Sequence, residues 1–184
     1  MNFQRAFSGL ALASLLAAAP WATMAQTQQR AHVHGQVKLD VAIDGPAIVI
    51  AMESPLENFV GFEHAPKTDA EKKTAEAAVA QLRAADQLFK IDPAANCKLG
   101  PIALQSTALG LGKTEAGTGA AEGHADLDGT FAFNCTNAAA AKFIDIGLFT
   151  AFKGMRQIDA QIVSREGQFK RTLKRPNSRL AWGK

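Results

Sequence analysis

Apolar and polar residues alternate along residues 33–43, and a second apolar run follows at residues 47–52. Because successive side chains of a strand point to opposite faces, the alternation predicts a strand with one buried and one solvated face. Asp44 and Gly45 separate the two runs and favour a tight turn between paired strands. The pattern therefore predicts a β-hairpin at the start of the folded region.

A single long helix is predicted after this hairpin. Residues 56–66 have no clear period and are interpreted as a partly buried connection. The spacing of Thr68 and Glu71 matches a capping box, and the run that continues to Phe89 is rich in Ala, Glu, Lys, Gln and Leu. The helix is predicted to end before Pro93.

Strand patterns return in the second half of the chain. Residues 106–123 are rich in Gly, Ala and Thr and predict a flexible surface loop, while residues 138–141 predict a short helical turn. Strands are predicted at residues 97–105, 124–135, 144–148, 157–163, 168–173 and 179–182. Because strands outnumber the one long helix and the connections are short, the expected sheet is largely antiparallel.

Residues 1–25 have the pattern of a secretory signal peptide. Arg5 supplies a positive charge, residues 7–19 form an apolar stretch, and small residues precede a cleavage site predicted after Ala25. The apolar stretch is shorter than the ~20 residues of a membrane span, so no membrane insertion is expected once the signal is removed. Residues 26–184 are expected to form a single periplasmic domain.

The charge of the chain is close to balanced. Its 184 residues include 20 Lys and Arg against 17 Asp and Glu, a net charge of +3. Such a balance gives no electrostatic case for binding nucleic acid or an anionic membrane. Basic residues between positions 170 and 184 are interpreted as a solvated strand and terminus, with a docking patch for an acidic partner as the alternative.

Two cysteines, Cys97 and Cys135, occur in the chain. In an exported protein such a pair predicts a disulfide. Zinc ligation by the two thiolates is the alternative, but neither cysteine has the close partner of a zinc motif. The expected fold class is therefore an α+β domain with a largely antiparallel β-sheet, one long helix and one disulfide.

All four histidines lie outside the signal, and their spacing suggests a metal site. His32 and His34 are two positions apart in a predicted strand, so both side chains point to its polar face. His124 and Asp126 repeat this geometry in another predicted strand, and His64 lies in the connection before the helix. Zinc is bound by about four such ligands, and a sheet face can bring the two pairs together.

The same histidines have a simpler interpretation, because a spacing of two is by itself a weak metal signal. Histidines on a wet strand face are often only solvated, and His64 could be hydrogen-bonded at a buried turn. Copper and nickel bind the same donors, so the residues do not separate Zn²⁺ from Cu²⁺ or Ni²⁺. Further oxygen donors, ranked below the histidines and Asp126 as possible ligands, are the carboxylates of Glu53, Glu63 and Asp128.

Several sequence blocks resemble one protein family. They are HVHG at residues 32–35, LDVAIDG at 39–45, ESPLENFVGFEHAP at 53–66, HADL at 124–127, FNC at 133–135, IDIGLF at 144–149 and IDAQ at 158–161. In these blocks the chain is similar to the ZrgA-like family of zinc-regulated periplasmic zinc-uptake accessory proteins. The blocks are spread over nearly all of the chain that follows the signal.

The resemblance implies a periplasmic protein that binds Zn²⁺ and works beside the solute-binding protein of a zinc ABC importer. The ligands it implies are His32, His34, His64, His124 and Asp126. Family members often carry a histidine- and acid-rich loop between the two cysteine blocks, whereas residues 106–123 contain no histidine. This departure favours one site, or two weak ones, over a zinc store.

No enzyme motif accompanies the histidines. The chain lacks HExxH, GxSxG and a Gly-rich phosphate loop. The protein is therefore expected not to be an enzyme, with a zinc hydrolase as the weaker alternative. The other alternative is a metal-free periplasmic interaction or envelope protein, which docks a partner through the sheet face and the basic tail.

Overall fold

The computed structural model describes residues 33–112 and 125–183. The predicted signal peptide, part of the predicted loop, His32 and His124 lie outside these residues. The strands are β1 (Gln36–Asp44), β2 (Ala47–Glu53), β3 (Phe89–Ile91), β4 (Cys97–Gln105), β5 (Asp128–Cys135), β6 (Phe143–Ile146), β7 (Gln157–Ser164), β8 (Gly167–Lys174) and β9 (Arg179–Ala181). The α-helices are α1 (Glu57–Val60), α2 (Asp69–Arg83), α3 (Ala85–Leu88) and α4 (Leu148–Ala151). Short 3₁₀ turns occupy Pro93–Ala95 and Ala138–Ala140.

The strands are divided between two sheets. Six strands form one sheet in the order β4-β5-β2-β1-β7-β8, and three form the other in the order β3-β6-β9. Every neighbouring pair is antiparallel except β1 and β7, which run parallel. The predicted hairpin consists of β1 and β2, whose register pairs Val41 with Ile50. The largely antiparallel arrangement expected from the sequence is confirmed.

Alternation along β1 decides which face of the six-stranded sheet is buried. Val37, Leu39 and Val41 are at most 2% exposed, whereas Asp40 and Ala42, which alternate with the buried residues of β1, are exposed. The buried residues belong to one hydrophobic core that also contains residues of the three-stranded sheet and of α2. Because burial of apolar surface is the dominant favourable term in folding, the alternation fixes the orientation of the strand.

A complete capping box starts the long helix α2. The Thr68 hydroxyl accepts a hydrogen bond from the Glu71 backbone N–H, and the Glu71 carboxylate accepts one from the Thr68 backbone N–H. Backbone hydrogen bonds from Thr68 and Lys67 lower the pKa of Glu71. The predicted start of the helix is therefore confirmed, with a charged carboxylate near its N-terminus.

The end of α2 differs from the sequence prediction. The helix stops at Arg83 because Ala84 leaves the helical region with φ −91° and ψ 50°, and the separate short helix α3 follows. Phe89, predicted as the end of the long helix, instead begins β3 and pairs with Ile146. Its side chain is fully buried and its ring contacts the ring of Phe131, with centroids 5.0 Å apart. Tertiary burial therefore overrides the helix propensity of this segment.

Cys97 and Cys135 form a disulfide. It links β4 to β5 at a position where the two cysteines are cross-strand partners. The disulfide, the two sheets and α2 confirm the expected α+β class. Within the described ranges, no helix is both long enough and apolar enough to cross a membrane.

Candidate metal centre

The segment between β2 and α2 carries two carboxylates of the candidate site. Glu57 begins the single turn of α1, and Gly61 ends that turn in the left-handed region with φ 84°, which glycine adopts without steric cost. Leu56, directly before the turn, is fully buried. Its backbone N–H donates a 2.7 Å hydrogen bond to the carbonyl of Ala125. The start of α1 is thus fixed against the core, and Glu63 follows in the connection to α2.

His34, Glu57 and Glu63 form a group of potential metal ligands among the described residues. Nδ1 of His34 contacts Oε2 of Glu57 and lies 3.5 Å from Oε1 of Glu63. One ligand atom from each residue lies within 4.8 Å of the other two. The side chains of His34, Glu57 and Glu63 are 48%, 39% and 21% exposed, so the group is reachable from solvent.

One imidazole nitrogen and two carboxylate oxygens are donors that Zn²⁺ accepts in proteins. Tetrahedral bonds of about 2.0–2.2 Å place neighbouring ligand atoms roughly 3.3–3.6 Å apart. The 3.5 Å between His34 and Glu63 is close to this spacing, whereas the direct contact between His34 and Glu57 must open to admit an ion. The two carboxylates also supply the negative charge that favours a divalent cation. The group can therefore contribute three ligands to one ion.

His64, a predicted ligand, has different partners. Its Nδ1 lies 2.9 Å from the carbonyl oxygen of Ala65, and its Nε2 lies 3.9 Å from Oε1 of Glu71 at the start of α2. Its ring stacks on Phe62, with centroids 5.0 Å apart. The side chain is 41% exposed, so the turn that carries it is not buried. The structure therefore does not bring His64 into the group formed around His34.

Asp126, another predicted ligand, is not part of this group of described residues. Asp126 pairs through its backbone with Pro55 in an isolated antiparallel bridge, and its side chain is not part of the group. His32 and His124 lie outside the described residues and stay predictions.

The sequence does not single out Glu57 as a ligand, and it indicates Glu63 less strongly than the histidines. The sequence signal that could have identified Glu57 and Glu63 as ligands is their position in the block at residues 53–66, which resembles the family. Their convergence on His34 depends on α1, a single turn without a detectable period. The lower-ranked Glu53 and Asp128 pair in register with Lys38 and Gln105, and neither is part of the group.

Comparison with known proteins agrees with the resemblance of the sequence blocks. A model of the family described as ZrgA family zinc uptake protein matches residues 31–182. The match includes His34, both carboxylates of the candidate site and both cysteines. A search of curated proteins finds no match. Since the family match covers most of its length, this chain belongs to the ZrgA family of zinc uptake proteins.

Proposed function

We propose that the protein binds one Zn²⁺ ion in the periplasm through His34, Glu57 and Glu63, and that it delivers the ion to the solute-binding protein of a zinc ABC importer. The convergence of one imidazole and two carboxylates carries this proposal. Membership of a zinc uptake family supports zinc as the ion. The disulfide between Cys97 and Cys135 supports an oxidising compartment.

The fourth ligand in this proposal is His32, His124 or a water molecule. Zinc in proteins is usually four-coordinate, and the three described donors leave one position. His32 precedes His34 by two residues, and His124 precedes Ala125, which is hydrogen-bonded to Leu56. An exchangeable fourth position suits a protein that must release its ion.

A carrier fits the surroundings of the group better than a hydrolase. An enzyme site is usually a concave pocket that excludes water, whereas His34 is about half exposed and Glu57 more than one third exposed. A cavity that includes Ile43, Arg165 and Trp182 contains none of the three ligand residues. We therefore propose a non-catalytic role.

Zinc titration of the purified periplasmic protein tests the site. After removal of metal with a chelator, calorimetry at neutral pH should give a stoichiometry near one and a micromolar or tighter Kd. Replacing both carboxylates in a Glu57→Gln/Glu63→Gln variant should weaken binding at least about tenfold, or ~1.4 kcal/mol, because two ligands lose their charge. Parallel titrations with Cu²⁺ and Ni²⁺ determine whether the site prefers zinc.

A variant with the same change in charge is the control. Glu76 and Asp86 are exposed carboxylates on α2 and α3, and Glu76→Gln/Asp86→Asn should keep the zinc affinity of the unmodified protein. Absence of saturable heat with zinc would overturn the proposal and favour the metal-free docking protein. Equal losses in the two double variants would show a general effect of charge rather than ligation.

Delivery to a partner needs its own measurement. Zinc-loaded protein is mixed with the metal-free solute-binding protein, and the distribution of zinc is followed with time. Transfer faster than the spontaneous dissociation of zinc supports direct delivery, because a ternary contact must then assist release. Transfer at the dissociation rate shows that the ion passes through solution and rejects a direct partnership.

A further inference from the structure

The residues that directly follow His34 and Glu57 in the chain, Gly35 and Asn58, are hydrogen-bonded to each other. The backbone N–H of Gly35 donates a 2.7 Å hydrogen bond to Oδ1 of Asn58. Because each of these two residues is covalently attached to a candidate ligand, this bond restrains the distance between the backbones that carry His34 and Glu57. It joins the start of β1 to α1 beside the metal group.

Asn58 makes further hydrogen bonds that fix its own side chain. Nδ2 donates to the carbonyl of Gln36 at 2.9 Å and to the hydroxyl of Ser54 at 3.0 Å. Asn58 is 3% exposed and Ser54 is 2% exposed. A buried amide whose donors and acceptor are all engaged has one orientation, since any other leaves polar groups unpaired.

The His34 segment is also held from the opposite side. The carbonyl of Gly35 accepts hydrogen bonds from the backbone N–H of Arg156, at 2.7 Å, and of Gln157, at 3.0 Å. The Arg156 guanidinium donates a 2.7 Å bond to the carbonyl of His34. Gly35 has φ 81°, a conformation that favours glycine. The backbone that presents His34 is therefore fixed before any ion arrives.

We propose that Asn58 is a positioning residue that sets the affinity and coordination geometry of the zinc site by fixing the separation of His34 and Glu57. This rests on the function proposed above. Residues that orient metal ligands without touching the metal change affinity typically 10- to 100-fold when they are replaced. Such residues usually hydrogen-bond to the side chain of a metal ligand. Asn58 acts through the backbone instead, because its side chain binds the backbone of Gly35, next to His34, and its own backbone is attached to Glu57.

The test is an Asn58→Ala variant of the periplasmic protein, titrated with Zn²⁺ and with Co²⁺. Zinc affinity should fall roughly 10- to 100-fold. The visible absorption of bound Co²⁺, which reports coordination geometry, should change in position and intensity. A purely structural role for Asn58 lowers stability but leaves the Co²⁺ spectrum of the folded protein unchanged.

Two further variants keep the test decisive. Ser54→Ala removes one acceptor of the Asn58 amide and should produce a smaller change in the same direction, even where Asn58→Ala does not fold. Leu180→Ala removes a fully buried side chain from the three-stranded sheet, which contains none of the three ligands. This control should lose stability while its zinc affinity and Co²⁺ spectrum stay as in the unmodified protein.

The outcomes separate the two proposals. If the unmodified protein binds zinc tightly, and the folded Asn58 and Ser54 variants have the same affinity and the same Co²⁺ spectrum, the positioning role is rejected. The function proposed above is not rejected by that result. Failure of the unmodified protein to bind zinc rejects the function proposed above and the positioning role with it. Altered spectra in the Asn58 and Ser54 variants but not in Leu180→Ala support both.

Discussion

Nδ1 of His34 lies 3.5 Å from Oε1 of Glu63, while the adjacent residue, His64, directs Nε2 toward Glu71 at a distance of 3.9 Å. Glu63 and His64 are adjacent in the chain but contact different parts of the structure. Glu63 reaches the start of β1, and His64 reaches the N-terminus of α2. The resemblance to the family implies both histidines as ligands, but the structure gathers only His34 with the two carboxylates.

Single histidine substitutions test this separation. His34→Ala should weaken zinc binding at least about tenfold, because it removes the one nitrogen donor of the described group. His64→Ala should change the zinc affinity less than twofold, since its ring contacts Phe62 and the start of α2. Competition with a chromophoric chelator measures both constants. A larger loss in His64→Ala would place His64 in the site, as the resemblance implies.

Gly154 offers a test of how α1 is supported. A Cβ at this position would lie 2.8 Å from the backbone oxygen of Asn58 and 3.1 Å from its Cα, so Gly154→Ala must displace backbone rather than a flexible side chain. The free energy of unfolding should fall by about 1–3 kcal/mol, the usual cost of overpacking, as measured by urea denaturation. Zinc affinity should fall too, because Glu57 moves with α1.

The neighbouring Lys153→Ala is the control for this substitution. Lys153 is exposed, and surface substitutions of this kind usually change stability by less than about 0.5 kcal/mol. Unchanged stability and zinc affinity in Gly154→Ala would show that the contact with Asn58 relaxes easily. That result would also weaken the view that α1 is rigidly supported.

The elements with strong local signals were predictable from the sequence. Alternation gave β1, because one of its faces is buried and the other is not. The apolar run after the turn at Asp44 and Gly45 gave β2. Thr68 and Glu71 gave the start of α2 through a capping box, which depends only on neighbours in the chain. The disulfide followed from two cysteines in a sequence whose first residues predict export. In each case the deciding interaction is local or chemically unambiguous.

Other features depend on contacts between distant segments. The parallel pairing of β1 with β7 aligns Gln36 with Gln157, and no local pattern specifies that neighbour. Glu57 lies on a single helical turn whose direction depends on the burial of Leu56. The candidate site was therefore only partly predictable, since His34 has a motif and Glu57 has none.

Asp145 should contribute to the acid sensitivity of the fold. Arg179 donates two hydrogen bonds to its carboxylate, at 2.7 and 2.8 Å, and these lower the pKa of Asp145 below its usual 3.8. A carboxyl with a lower pKa in the folded state stabilises the fold above its unfolded pKa. That contribution is lost as the pH falls from 3.8 through the lower folded value.

Asp145→Asn should therefore flatten the decrease of stability below pH 3.8. The effect should be modest, because the Arg179 and Asp145 side chains are 58% and 39% exposed and solvent screens their interaction. Thermal unfolding between about pH 2 and pH 6 measures it, a range that brackets ordinary carboxyl titration. Asp40→Asn, an exposed carboxylate on β1, is the control. If both variants keep the slope of the unmodified protein, the Asp145–Arg179 pair does not contribute to acid sensitivity.

The disulfide should stabilise the fold without taking part in zinc binding. Cys97 and Cys135 are 38 residues apart in sequence, and a loop of that length corresponds to about 4 kcal/mol on the chain-entropy model. The Cys97→Ala/Cys135→Ala variant should lose roughly that free energy of unfolding. Its zinc affinity in the folded state should match that of the unmodified protein, because the cysteines belong to β4 and β5 and the ligands do not. A loss of affinity in protein shown to be folded by near-ultraviolet circular dichroism would mean that the β4–β5 pair supports the metal centre.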